Sequence, residues 1–170
     1  MSMVAIAEHS AGAKHARPLP VDALAVLEKK AFSRADAWTA DDLRAESKKT
    51  SALLLVALAD PADPALPSTG TLAPPVLGYL AAASTGSAVH ILRVATHPDA
   101  RRCGIASALV TAALRPEPAA TRRRPPLAAT LHVDPANAPA RALYERAGFA
   151  VDVRLEDYYA PGRPALRMIL

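Results

Sequence analysis

The chain is short of three things. It has one cysteine, Cys103, in 170 residues, which excludes an internal disulfide framework and suits a reducing compartment. Aromatic residues make up 4% of a chain that is 51% hydrophobic, so its core has to be built from Leu, Val, Ile and Ala. The longest apolar run, Leu53 to Ala59, falls far short of the roughly 20 residues a helix needs to cross a bilayer. Met1 to Ala7 is apolar, but no basic segment precedes it and Glu8 and His9 interrupt it, so no secretory leader is expected. The expectation is a soluble, cytoplasmic protein with no membrane partner.

A length of 170 residues fits one domain, expected to span 1–170. The net charge of +4 mildly favours anionic ligands such as phosphates. The basic residues are not interleaved with aromatics, which argues against a specific nucleic-acid partner. Residues 60–75 carry proline too densely to continue a helix or pair inside a sheet, and read as a loop inserted between two strands. Arg122-Arg123-Arg124-Pro125-Pro126 reads as a second, basic loop.

Periodicity places the remaining elements. A short strand at most is expected before residue 19. Leu24, Leu27 and Ala31 recur at helical spacing behind Asp22 as N-cap, and Phe32-Ser33 ends that helix. Thr39 opens a second helix with Asp41 and Asp42 in its first turn. Ser51–Leu58, Val76–Ala83 and Val89–Ala95 read as strands. His97-Pro98-Asp99 breaks the third, and a helix with Ile105, Leu109, Ala112 and Ala113 on one face runs to Pro116. Leu127–Val133 alternates, with Ala129, Leu131 and Val133 on one face and Thr130 and His132 on the other. Asn137 caps a last helix that Gly148 stops, and Val151–Tyr158 with Ala165–Leu170 forms a closing hairpin around Pro161-Gly162. This order predicts an α/β (α+β) fold with a single mixed central sheet flanked by about four helices.

Arg101-Arg102-Cys103-Gly104-Ile105-Ala106 stands between a strand end and a helix start. The first amides of a helix lack internal partners and carry partial positive charge, so a pyrophosphate is well stabilised there. Gly104 and Ala106 allow close approach, and Arg101 and Arg102 add long-range attraction. An ordinary strand-to-helix connection with a solvated arginine pair is the alternative. The spacing matches neither a P-loop nor the dinucleotide fingerprint.

This segment resembles the acetyl-CoA signature of the GNAT superfamily, Gln/Arg-x-x-Gly-x-Gly/Ala, within the longer run Leu92–Leu109, LRVATHPDARRCGIASAL. Asn137-Ala138-Pro139-Ala140-Arg141-Ala142-Leu143-Tyr144 followed by Gly148-Phe149 is similar to the superfamily's N-x-x-A-x-x-L-Y-x-x-x-G-F segment. The resemblance covers residues 76–170 well and the first 75 in outline. It implies a GNAT fold and acetyl-CoA as cosubstrate, with no metal. By similarity, the backbone of Val94, Ala95 and Thr96 pairs with pantetheine at a splay between two parallel strands. Arg101, Arg102, Cys103, Gly104, Ile105, Ala106 and Ser107 hold the pyrophosphate. Asn137 lies beside the pantetheine, and the Tyr144 hydroxyl protonates the departing thiolate. Cys103 is given no nucleophilic role.

Two further features resemble the N-terminal acetyltransferase branch, including ribosomal-protein-alanine acetyltransferases and eukaryotic N-alpha-acetyltransferase catalytic subunits. His132, on the strand face opposite Leu131 and Val133, stands where that branch carries a catalytic Glu or His; a structural histidine on a polar strand face is the alternative. Tyr158-Tyr159 is similar to the branch's double tyrosine that contacts the incoming peptide; two aromatics stabilising a hairpin is the alternative. His90 and Phe32 are further candidates for the substrate side. The bulged strand near Val94–Ala95 is expected to polarise the thioester carbonyl.

Chemistry points the same way. A peptide α-amine, with a pKa of about 7.7–8.0, costs under about 1.4 kcal/mol to deprotonate near neutrality, whereas a lysine at about 10.4 costs more than roughly 4 kcal/mol. A histidine base suits the first task. The implied activity is acetyl transfer to protein or peptide N-termini by direct attack, with a ribosome or an auxiliary subunit as candidate partners. A GNAT enzyme acting on lysine or a small amine, and a non-catalytic acyl-CoA-binding module, are the alternatives.

Overall fold

The computed structural model describes residues 5–10, 18–59, 76–85, 87–115 and 128–170. The proline-rich 60–75 segment, the basic 122–126 segment and Leu127 lie outside the described residues. The described strands are β1 (Ala5–Ser10), β2 (Ala52–Leu58), β3 (Val76–Ser84), β4 (Ala88–Thr96), β5 (Ala128–Val133), β6 (Ala150–Ala160) and β7 (Arg163–Ile169). They form one mixed seven-stranded sheet in the order β1-β2-β3-β4-β5-β7-β6. Every neighbouring pair is antiparallel except β4 with β5, which is parallel. Among the described residues four α-helices flank it: α1 (Val21–Ala31), α2 (Ala40–Ser47), α3 (Ile105–Leu114) and α4 (Ala138–Arg146). None of them is long and apolar enough to cross a membrane. The α/β architecture with one mixed sheet is as the sequence predicts.

Alternation along the central strands sorts two cores onto opposite faces. Leu53 and Leu55 of β2 join Leu80, Ile91, Leu109, Leu131 and Tyr144, under α3 and α4. Leu54 and Val56 join Leu24, Leu27, Leu43 and Tyr79, under α1 and α2. Both faces of β2 and β3 are therefore covered, which is why their sequences are continuously apolar rather than alternating.

Local signals fix the helix ends, with one correction. Asp22 is not the N-cap of α1: Pro20 occupies that position, its carbonyl accepting from Leu24 N at 3.0 Å. Proline's fixed φ suits a helix start, and Asp22 falls in the first turn, 3.6 Å from Arg44. Thr39 caps α2 as expected, in a reciprocal capping box with Asp42. Asn137 caps α4 through Oδ1, which accepts from Ala140 N at 3.2 Å, and Gly148 follows the helix with φ +98.

Two irregularities shape the sheet where the sequence motifs converge. In β4 the partners of β3 run Ala82↔Ile91 and then Ala81↔Arg93, so Leu92 is an extra, bulged residue. This corrects the expected bulge near Val94–Ala95, where Leu80↔Val94 and Tyr79↔Ala95 pair regularly. In the last hairpin both strands run closer to the turn than predicted. Pairing resumes at Ala160↔Arg163 after a gap from Leu155↔Ala165. Gly162 at φ +74 makes that turn possible, and the Asp157 carboxylate accepts from Gly162 N at 2.6 Å.

Candidate active site

The parallel β4–β5 ladder runs only from Ala88↔Ala128 to Ile91↔Leu131. Beyond it the strands part, and the β4 edge carrying Val94, Ala95 and Thr96 faces the opening while its other edge stays bonded to β3. A backbone edge released in this way can pair with an extended amide-bearing chain, as pantetheine is. Just past it, the 3-10 turn Pro98–Ala100 leads into Arg101–Gly104, all four exposed. Arg102 at φ +63 and Gly104 at φ +78 are both left-handed, a backbone habit that turns successive N–H groups toward one anion. Gly104 is the N-cap of α3 and offers no side chain to its first amides. A Cβ built at Gly104 would meet nothing within 4 Å, so the space before Ile105, Ala106 and Ser107 is open to a phosphate. Cys103 is exposed, its thiol directed to Arg101 O at 3.5 Å. These residues fit an acyl-CoA: an edge for the arm, a positive turn for the pyrophosphate.

The face of the sheet toward α1 and α2 carries a second constellation. His90 Nδ1 and Thr130 Oγ1 are hydrogen-bonded at 2.7 Å, across the last rungs of the parallel ladder. The His132 ring meets His90 edge-on at 5.2 Å and stacks on Tyr158 at 4.4 Å and 21°. Its Nδ1 lies 3.1 Å from the Tyr158 hydroxyl. Arg167 of β7 sits opposite His132 in the ladder. Burial holds both histidines below the ordinary imidazole range, and at His132 the positive charges of His90 and Arg167 add to it. Both rings are therefore neutral at pH 7.

Tyr158 and Tyr159 sit in the arc where β6 leaves the ladder, after Asp157 at φ +54. Their rings are perpendicular at 5.0 Å, and the Arg163 guanidinium lies 5.4 Å from the Tyr159 ring. Tyr144 lies on α4. It is 7% exposed, and burial followed by the charge of Tyr159 pushes its pKa up to about 12. Tyr159 is also raised to about 12, mainly by burial. Among the expected residues, the structure brings His90, His132, Tyr158 and Tyr159 into one neighbourhood, while Tyr144 packs in the core on the α3–α4 side against Phe149, within electrostatic reach of Tyr159. Phe32 lies apart from the histidines, as the C-cap of α1 with its ring 4.3 Å from the Arg93 guanidinium.

Sequence reasoning missed a buried network beneath the α1–α2 connection. Glu28 is fully buried, and its carboxylate accepts from Trp38 N at 2.7 Å, from Arg93 Nη1 at 2.5 Å and from the Tyr79 hydroxyl. Arg93 Nη2 donates to Asp36 O at 2.8 Å. The signal was present: Glu28 falls on the Leu24–Leu27–Ala31 stripe, and a charge on an apolar helix face needs buried partners. A concavity of about 450 Å³ opens beside this connection, lined by Asp36, Trp38, Asp42 and Glu46 among others; neither histidine lines it.

A family model described as the acetyltransferase (GNAT) family matches residues 23–149. The chain belongs to the GNAT acetyltransferase family. It is accordingly an acetyl-CoA-dependent acetyltransferase. No curated protein matches the sequence. Among solved structures, the acetyltransferase resembles the ribosomal-protein-S18-alanine N-acetyltransferase of Escherichia coli, with TM-score 0.72, 19% identity, and coverage of 99% of this chain and 93% of that one. Arabidopsis thaliana NAA60 in complex with acetyl-CoA gives TM-score 0.73 at 17% identity over 99% and 98%. The spermidine/spermine N-acetyltransferase SpeG of Vibrio cholerae gives 0.64 at 14% over 98% and 91%. At these identities the likeness is one of fold, and the acceptor has to be argued from the site itself.

Proposed function

We propose that this acetyltransferase modifies the α-amino group of peptide or protein N-termini. The observation that carries the reading is the His132–Tyr158 pair, stacked and hydrogen-bonded, with His90 beside it at the end of the β4–β5 ladder. A neutral imidazole held below its usual range is a ready acceptor for the proton of an α-amine. Such an amine needs only about 1.4 kcal/mol or less to reach its reactive form. The charges around the site favour an uncharged backbone over a polycation. Asp36 is paired with Arg163, Glu28 with Arg93 and Asp152 with Arg167, so these carboxylates are already engaged. One of the similar folds is named a ribosomal-protein-S18-alanine N-acetyltransferase, which supports the same reading.

The geometry and the family resemblance support the following roles. Val94, Ala95 and Thr96 bind the pantetheine arm, and the amides of Arg102 to Ser107, with Arg101 nearby, hold the pyrophosphate. Asn137 borders the arm while capping α4. In the tautomer that carries its proton on Nδ1, His132 donates to the Tyr158 oxygen and its Nε2 lone pair takes the amine proton as nitrogen attacks the thioester carbon. Backbone N–H groups on the open β4 edge polarise the thioester carbonyl. Tyr144, whose hydroxyl keeps its proton far above neutral pH, gives it to the departing thiolate. Tyr158 and Tyr159 flank the incoming chain, and Phe32 shapes its far wall through Arg93.

The test is transfer from labelled acetyl-CoA to a library of peptides with free N-termini, beside lysine peptides with blocked N-termini and a set of polyamines. Modification of free α-amines alone supports the reading and gives the preferred first residues. Modification of lysines or polyamines alone overturns it.

A further inference from the structure

The connection between α1 and α2 has no regular structure, yet it is held at both ends of its middle residue. The Asp36 carbonyl accepts from Arg93 Nη2 at 2.8 Å. Its carboxylate takes a hydrogen bond from Ser33 Oγ at 2.7 Å and a two-pronged contact from Arg163 at 3.1 and 3.2 Å. Trp38 N is bonded to Glu28, and its ring lies 4.6 Å from the Arg93 guanidinium, which Phe32 faces at 4.3 Å. Arg93 thus sits between two rings, with one nitrogen on a fully buried carboxylate and another on loop backbone.

A buried ion pair is a weak device for stability, because apolar side chains of equal volume do as well or better. What apolar side chains cannot do is aim a carbonyl and an amide of an irregular segment. Arginine's planar fork suits that task, since two of its nitrogens serve two acceptors in fixed directions at once. Position matters too. A regular strand would put residues 90 and 93 on opposite faces, and the bulge at Leu92 puts Arg93 on the same face as His90.

We propose that Arg93 is the positioning residue of the acceptor wall. Its guanidinium fixes residues 33–39, and through Asp36 and Arg163 it fixes the hairpin that lays Tyr158 against His132. Arg93 touches neither reacting group; it sets where the acceptor's wall stands. This rests on the acetyl-transfer site described above, and the peptide assay reads it through the acceptor.

The test separates charge from geometry. Arg93→Lys keeps a cation beside Glu28 but loses the fork, and Glu28→Gln/Arg93→Gln removes both charges together so that neither is left buried alone. Thermal unfolding confirms that each variant folds. The acceptor is the free-N-terminus peptide that the wild type turns over fastest. Trp38, the sole tryptophan, reports on the loop through acrylamide quenching. In folded Arg93→Lys, the acceptor KM rises about tenfold or more with acetyl-CoA affinity held, and kcat falls by less, through the loosened Tyr158–His132 contact, the mark of a loss on the acceptor side. Trp38 becomes more quenchable, and the double variant behaves likewise. Wild-type acceptor KM and quenching in a folded Arg93→Lys overturn the proposal, as do equal losses of acceptor and acetyl-CoA binding. If the wild type acetylates no peptide, the N-terminal reading has failed. Trp38 quenching then decides alone, an increase upholding the positioning role and no change overturning it.

Discussion

Gly78→Ala tests whether the donor seam depends on close packing beneath it. Gly78 stands opposite Thr96, and an added Cβ would lie 2.7 Å from the Ala95 carbonyl oxygen and 3.1 Å from Ile105 Cγ2. Ordinary contact begins near 3.4 Å, so β3 and the Ala95 backbone must part by about 0.7 Å. The obstacle is main chain, which cannot rotate away. Overpacking of this kind costs about 1–3 kcal/mol. Alanine returns about 0.4–1 kcal/mol by stiffening the unfolded chain. The net loss of roughly 0.5–2 kcal/mol lowers Tm by about 1–8 °C for a chain of this size. Because Ala95 lies on the edge assigned to pantetheine, acetyl-CoA affinity measured by calorimetry falls by up to about tenfold, the equivalent of 1.4 kcal/mol. Gly104→Ala is the contrast: its Cβ meets no protein atom, so its cost is the left-handed backbone, about 1–2 kcal/mol, plus direct obstruction of the phosphate. A Gly78→Ala protein with unchanged Tm and unchanged acetyl-CoA affinity refutes this account of the seam.

His132→Ala lowers kcat by about 10²–10⁴-fold, the range of a general base, while calorimetry finds acetyl-CoA affinity unchanged. Tyr144→Phe lowers kcat by about 10²-fold with the same unchanged affinity, and the deficit shrinks for a thioester analogue whose leaving group needs no proton. The pH profile of kcat/KM falls first as the α-amine protonates below about 8 and steepens at some point below about 6.5, because burial depresses both imidazoles and the base must be neutral. Stability has the same sign. The unfolded histidines take up protons first as pH falls, so the contribution of His90 and His132 is complete above about pH 6.5 and is lost as pH drops through their lower folded values. A His90→Gln/His132→Gln protein therefore shows a flatter Tm between neutral and mildly acidic pH than the wild type.

What the sequence revealed and what it hid divide along chain distance. Thr39 with Asp42, Asn137 with Ala140, and Gly148 act within a few residues, so their roles were legible from spacing. Thr130 and His132 were assigned to the right face because β5 alternates without interruption. The Glu28 network joins residues 51 and 65 positions apart, and no local pattern names the partners of a buried charge. Glu28 is followed by Lys29 and Lys30, which gives that helix end the look of a solvated face. The bulge at Leu92 was misplaced because its cause is the pairing with β3, not the composition of β4. Asp22 was mistaken for a cap because its preference for helix starts is real, but Pro20 had already begun the turn.

The Leu92 bulge makes β4 sensitive to length rather than to lettering. Deleting that one residue would leave His90 and Arg93 two positions apart in a regular strand, on one face and opposite the same β3 partners, but without the local bend and added twist that a bulge brings. Any replacement at position 92, itself 39% exposed, would leave the count intact. Length variation at this point therefore changes the course of the strand toward the open β4 edge, not the face that His90 or Arg93 takes.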